Sequence, residues 1–182
     1  MGVTANAVTV ATCLVSVVLG LALYFLPLPR SVFLLMPLWM LIRMAFNAID
    51  GMLAREFDQQ SKLGAYLNEL TDVLADSALL LAFVRIFPDS GFWIGLIVVL
   101  AALTEFSGAL GPSIGASRRY DGPMGKSDRA AVLGLLGLWV GMTATTSNWI
   151  TYVFPVMALL TAMTVWRRVQ LGLTESNSKA SK

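Results

Sequence analysis

Asn47-Ala48-Ile49-Asp50-Gly51-Met52-Leu53-Ala54-Arg55, then eight residues, then Gly64-Ala65-Tyr66-Leu67-Asn68-Glu69-Leu70-Thr71-Asp72, place acids and amides inside an otherwise apolar chain. Asn47 and Asp50 are one helical turn apart, and Asn68, Asp72 and Asp76 occupy successive turns. The two sets can face one another across a helical hairpin. A charge at the centre of a spanning helix costs roughly 2.5–3.5 kcal/mol, so a cluster of such residues implies a wet or metal-filled cavity.

On either side of this stretch the chain is far from the composition of soluble domains. Of its 182 residues 57% are hydrophobic and 13% are charged, against roughly 45–50% and 25% in ordinary soluble proteins. A soluble globular body and intrinsic disorder are both excluded. A spanning helix needs about 20 mostly apolar residues, and six such runs are present: Ala5 to Leu26, Ser31 to Ala54, Gly64 to Phe87, Gly91 to Ile114, Arg129 to Ala144 and Trp149 to Trp166. Pro27, Pro29, Pro88, Pro112 and Pro123 fall at or near the breaks, where proline cannot continue a helix. The expected fold is an all-α integral membrane protein of six transmembrane helices with a cytoplasm-facing polar cavity. Residues 1–173 form its one domain, and 174–182 a polar tail without fixed structure. Pro155 predicts a kink in the sixth helix or a later start to it.

Of the 13 basic residues, ten lie at the ends reached after an even number of spans; only Arg30 and Arg85 lie at the other end, and Arg43 is within a span. The positive-inside rule places both termini and the two polar loops in the cytoplasm, and a bacterial inner membrane is the expected location. The first run is not expected to be a signal peptide: no Lys or Arg precedes it and its apolar part is too long. Net charge is only +2, with no basic face for a nucleic acid. With one cysteine, Cys13, and no histidine, Cys/His zinc sites and imidazole catalysis are excluded. Several carboxylates and amide oxygens without matching lysines suit a hard divalent cation, Mg²⁺ or Mn²⁺, and such ions hold phosphates. Gly51, Ala54, Gly64 and Ala65 leave room beside the acids for a ligand.

The same residues resemble the signature of the CDP-alcohol phosphatidyltransferase (CDP-alcohol phosphotransferase) family, D-x2-D-G-x2-A-R-x8-G-x3-D-x3-D. Every spacing agrees, and Asp50, Gly51, Ala54, Arg55, Gly64 and Asp72 match; Asn47 and Asn68 replace the first and third aspartates. Thr4-Ala5-Asn6-Ala7-Val8-Thr9 resembles the family's P-N-x2-T opening, with Ala5 for the proline.

What the resemblance implies is attack by an alcohol hydroxyl on a CDP-alcohol with release of CMP. Asp50 and Asp72 would be metal ligands, joined by the amide oxygens of Asn47 and Asn68 and by Asp76 as a compensating carboxylate. Asp72 would also take the acceptor's proton. Asn6, Thr9, Gly51, Ala54, Arg55 and Gly64 would receive the CDP moiety. The expected reaction transfers a phosphatidyl group from CDP-diacylglycerol to a small polar alcohol or alcohol phosphate, in phospholipid biosynthesis. The alternatives are a CDP-linked small alcohol donating to a diacylglycerol, and a cation-coupled transporter using the same acids, which the absence of a visible inverted repeat weakens. A homodimer is implied by the resemblance alone.

The second polar loop, 117–129, brings Arg118, Arg119, Lys126 and Arg129 around a Gly-Pro turn. It reads either as a flank touching anionic lipid heads or as an acceptor-phosphate site. Arg43 and Glu105 stand as isolated intramembrane charges, and a helix-to-helix ion pair is the expected account of them.

Overall fold

Thr4 starts the first helix, its Oγ1 accepting from the Ala7 N–H at 3.2 Å, one of the donors a helix start leaves orphaned. Ser61 does the same for the third, accepting from the Gly64 N–H at 2.9 Å. In this computed structural model, which describes residues 4–145 and 148–180, the regular secondary structure among the described residues is entirely helical. The α-helices are α1 Ala5–Phe25, α2 Leu35–Glu56, α3 Lys62–Leu81, α4 Gly91–Leu110, α5 Lys126–Met142 and α6 Val153–Ala180. Short 3₁₀ turns precede α2, α4 and α6 and follow α3 and α4.

Among the described residues four helical stretches are long and apolar enough to cross a membrane: Ala5–Phe25, Arg30–Glu56, Pro88–Ile114 and Asn148–Ala180. Large apolar side chains such as Val18, Phe25, Leu41 and Phe92 are exposed on them, which lipid tolerates and water does not. The remaining two helices fall short for opposite reasons. α3 carries Glu69, Asp72 and Asp76, and α5 has only 17 residues, about 25 Å of helix.

The chain divides into two compact units, Met1–Pro88 with Ala130–Thr146, and Asp89–Arg129 with Ser147–Lys182. In the first, α1 packs on both α3 and α2. A Cβ at Gly20 would lie 2.4 Å from the Ala78 carbonyl oxygen, so the α1–α3 approach requires a residue without a side chain. Gly137 and Gly141 seat α5 in the same way against Met36 and Leu34. Leu23, Phe33, Met36, Leu79, Phe83, Leu133 and Val140 are buried, and the Phe33 and Phe83 rings stand 5.4 Å apart. Arg85 donates to the carbonyls of Leu23 and Leu28 at 3.2 and 3.0 Å, satisfying acceptors at the C-terminal end of α1. In the second unit α4 packs on α6 around Ile94, Ile97, Ile150, Phe154 and Met157, all buried.

Pro155 falls in the first turn of α6 because that helix begins at Val153, after a 3₁₀ turn; the later start, rather than a kink, accommodates it. α5 begins at Lys126, three residues before the expected Arg129, with the Gly125 N–H donating to Asp128 Oδ2 at 2.9 Å. The structureless tail is corrected over 174–180, which continues α6; residues 181–182 lie outside the described residues. Its anchor is Glu175, which accepts from Ser117 Oγ at 2.7 Å, Arg119 at 2.9 Å and Lys179 at 2.7 Å.

Candidate functional site

α1 carries Asn6 and Thr9, α2 carries Arg43, Asn47, Asp50, Gly51, Ala54 and Arg55, and α3 carries Gly64, Asn68, Asp72 and Asp76. All belong to the first unit. Three contacts show how α1 joins the hairpin. The Thr9 hydroxyl donates to Asp50 Oδ2 at 2.7 Å. The Ala5 N–H donates to Gln59 Oε1, in the α2–α3 loop, at 2.8 Å. A Cβ built on Gly64 would stand 2.8 Å from Asn6 Oδ1, so the opening of the chain and the start of α3 touch.

Arg43, Asn47 and Asp50 share one stripe of α2, spaced i, i+4, i+7. Arg43 is 3% exposed and bridges the hairpin. Nη1 pairs with Asp76 Oδ1, and Nη2 reaches Asp72 Oδ1 at 3.2 Å. Asp72 and Asp76 are buried as well, so two of the hairpin's three buried acids meet a cation supplied by the protein. Asp50 is different: it is 6% exposed, and its side chain has one partner among the described residues, the Thr9 hydroxyl. A buried carboxylate without a countercharge is costly.

The amides of Asn6, Asn47 and Asn68 are half-buried. Gly51 is open: an added Cβ would meet only Arg55 Nη2, at 3.9 Å. Arg55 is exposed, and Ala54 is half-buried with its carbonyl accepting from the Gln59 N–H at 3.1 Å. Among the described residues no three Asp, Glu or Cys side chains converge as a metal-binding group. Any divalent ion here would draw on Asp50 and neighbouring amide oxygens as much as on carboxylates, a donor set that suits a hard cation.

The basic loop lies in the second unit. Arg118 is half-buried and stacks over Tyr120, 5.0 Å from the ring centre; Lys126 is half-buried at the start of α5. Arg119 pairs with Asp121 at 2.8 Å and Glu175 at 2.9 Å. Arg129 is buried, holding Glu105 at 3.0 Å, the Thr104 hydroxyl at 3.1 Å and the Met124 carbonyl at 3.3 Å. Glu105 also meets buried Arg168 at 3.6 Å. Arg43 and Glu105 thus each make helix-to-helix ion pairs, with Asp72 and Asp76 in one case and with Arg129 and Arg168 in the other. Gln59, Glu175 and Arg168 carried no sequence signal, being ordinary polar residues at loops and helix ends.

The pattern described as CDP-alcohol phosphatidyltransferase matches residues 2–166. The chain is 42% identical over 174 residues to the inner membrane protein YnbA of Escherichia coli strain K12, covering 96% of this chain and 86% of that protein. Its fold resembles that of the phosphatidylinositol phosphate synthase of Mycobacterium tuberculosis at 19% identity. In the crystal structure with manganese and citrate the TM-score is 0.77, covering 95% of this chain and 84% of that one. In the structure with CDP-DAG bound the TM-score is 0.78, covering 95% and 88%.

Proposed function

Because this chain belongs to the CDP-alcohol phosphatidyltransferase family, we propose that it transfers a phosphatidyl group from CDP-diacylglycerol to the hydroxyl of a small polar alcohol or alcohol phosphate, releasing CMP. The observation that carries this is Asp50: a buried signature carboxylate, hydrogen-bonded to Thr9 of the chain's opening and otherwise without a partner among the described residues. An apolar groove of about 470 Å³ between α1 and α2, lined by Val8, Ala11, Val15, Trp39 and Phe46 among others, supports a lipid on the donor side. It belongs to the same two helices as Thr9 and Asp50.

In this reading all six helices span an inner membrane, with both termini and the polar cavity on the cytoplasmic side, where the basic residues concentrate. The location is supported by the related inner membrane protein. α3 tolerates the span because its acids turn to Arg43 instead of lipid. A homodimer completes the reading.

Asn6, Thr9, Gly51, Ala54, Arg55 and Gly64 receive the CDP moiety: Gly51 and Gly64 keep side chains out of its way, and exposed Arg55 offers charge to its phosphates. The family resemblance and the manganese-bound neighbour support Mg²⁺ or Mn²⁺, which Asp50, Asp72 and Asp76 with the amide oxygens of Asn47 and Asn68 would hold and which would neutralise pyrophosphate oxygens. Asp72 receives the acceptor's proton. As the acceptor oxygen bonds to the phosphorus carrying diacylglycerol, the bond from that phosphorus to the oxygen bridging to CMP breaks, and CMP departs with both electrons. Arg43 fixes the orientation of the Asp72 carboxylate from the side of Oδ1.

Arg118, Arg119, Lys126 and Arg129 serve the acceptor's phosphate in this reading, buried Arg129 by holding the loop. The test is CMP release from CDP-diacylglycerol by purified protein offered a panel of polar alcohols and alcohol phosphates. Release that depends on one acceptor class supports the proposal; no release with any acceptor contradicts it.

A further inference from the structure

We infer that the nucleotide-free site of this chain takes a single divalent cation, centred on Asp50, and that the Arg43 guanidinium supplies the remaining positive charge at Asp72 and Asp76. The inference rests on the reading above and deepens it. Two observations carry it independently. The buried acids are partitioned: Asp72 and Asp76 pair with Arg43, whereas Asp50 has a hydroxyl but no cation among the described residues. The donor set is also poor in charge, with neutral amides at 47 and 68, and no three acidic side chains converge as a metal-binding group among the described residues.

Electrostatics then decides the count. Asp50, Asp72 and Asp76 contribute three negative charges and Arg43 one positive charge, leaving two, which one divalent ion neutralises. Before a nucleotide brings its pyrophosphate, a second ion would put two positive charges in excess on a buried site beside a fixed guanidinium, an arrangement the low local dielectric penalises strongly. Asn can ligate through its carbonyl oxygen but offsets none of that charge. Arg43 is a positioning residue here: it holds the α3 carboxylates and excludes a second ion by occupying their charge.

The experiment is Mn²⁺ titration of the intact purified protein, with and without CDP, read by calorimetry and by electron paramagnetic resonance. One Mn²⁺ per chain with an uncoupled six-line spectrum is expected without CDP; two ions, a spin-coupled pair, or no binding at all in that condition would overturn the inference. Asp50→Asn should weaken Mn²⁺ binding at least tenfold, and unchanged affinity would overturn the placement on Asp50. Arg43→Gln exposes two paired acids and should raise the stoichiometry to two where it folds; Arg43→Lys, which keeps the charge, should remain at one, and two ions bound by the Lys variant would contradict the role given to Arg43. CMP release is scored separately. CMP release by a protein that binds two ions without nucleotide defeats the one-ion inference alone, and one ion with no release under any acceptor defeats the proposed reaction alone.

Discussion

Thr9 of α1 donates to Asp50 of α2 across 41 residues of sequence at 2.7 Å, and this bond joins the opening of the chain to the central acid of the signature. Removing the hydroxyl while keeping the shape tests it. Thr9→Val should leave the fold intact and weaken Mg²⁺ or Mn²⁺ binding by about 10–100-fold, the usual cost of losing a group that orients a ligand. Calorimetric titration of the variant against the parent checks this; equal affinities would separate Thr9 from the site.

Arg43 should matter for stability before it matters for rate. It is buried with Asp72 and Asp76, and removing one partner of a buried ion pair costs about 3–5 kcal/mol. Arg43→Met should therefore lower the unfolding midpoint in detergent markedly, with Arg43→Lys recovering part of the loss. A midpoint within a degree of the parent would show that the pairing contributes little.

The two glycines of the signature should respond differently to the same change. Gly64→Ala places a Cβ 2.8 Å from Asn6 Oδ1, so Asn6 must move, and overpacking of this kind costs about 1–3 kcal/mol. Gly51→Ala meets only Arg55 Nη2 at 3.9 Å and should stabilise α2 by up to about 1 kcal/mol. If CDP occupies the open face, Gly51→Ala binds it about tenfold more weakly, about 1.4 kcal/mol, despite equal or better stability. Thermal melts with and without CDP distinguish the two effects.

In the basic loop buried Arg129 should respond differently from half-buried Arg118 and Lys126. Arg129→Ala strands Glu105 beside Arg168 and should destabilise the protein. Arg118→Ala and Lys126→Ala should instead raise the acceptor KM with CDP-diacylglycerol affinity unchanged, as measured by steady-state kinetics at saturating donor. Equal weakening for both substrates would favour contact with anionic lipid heads.

Much of this was legible in the chain because hydropathy and proline punctuation act locally: the apolar runs predict α1, α2, α4 and α5 closely, and the start though not the end of α6, and the spacing from Asn47 to Asp72 places two acidic faces on one hairpin. Pairing is not local. Nothing in sequence spacing distinguishes Arg43 meeting Asp72 and Asp76 from Arg43 meeting Glu105, since side-chain reach across helices decides it. Helix ends were misplaced where long-range anchors act, as Glu175 does by tying the C-terminal residues to Ser117 and Arg119. Arg168 lies just past the expected end of the sixth apolar run and is buried against Thr104 and Glu105.

The departures at 47 and 68 are testable by restoration. Asn47→Asp with Asn68→Asp adds two negative charges, and metal affinity should rise by a few kcal/mol at most once desolvation is subtracted. Calorimetric titration at one pH reads it, and unchanged affinity would show that these side chains do not face the metal.

Acceptor-dependent CMP formation tests the central claim most directly. Purified protein in mixed micelles with CDP-diacylglycerol, Mg²⁺ or Mn²⁺ and a panel of polar alcohols and alcohol phosphates should release CMP with one acceptor class, stop when the metal is chelated, and fall at least about 100-fold in Asp50→Ala. Folded protein that releases no CMP with any acceptor, or an Asp50→Ala variant with the parent's rate, would contradict it.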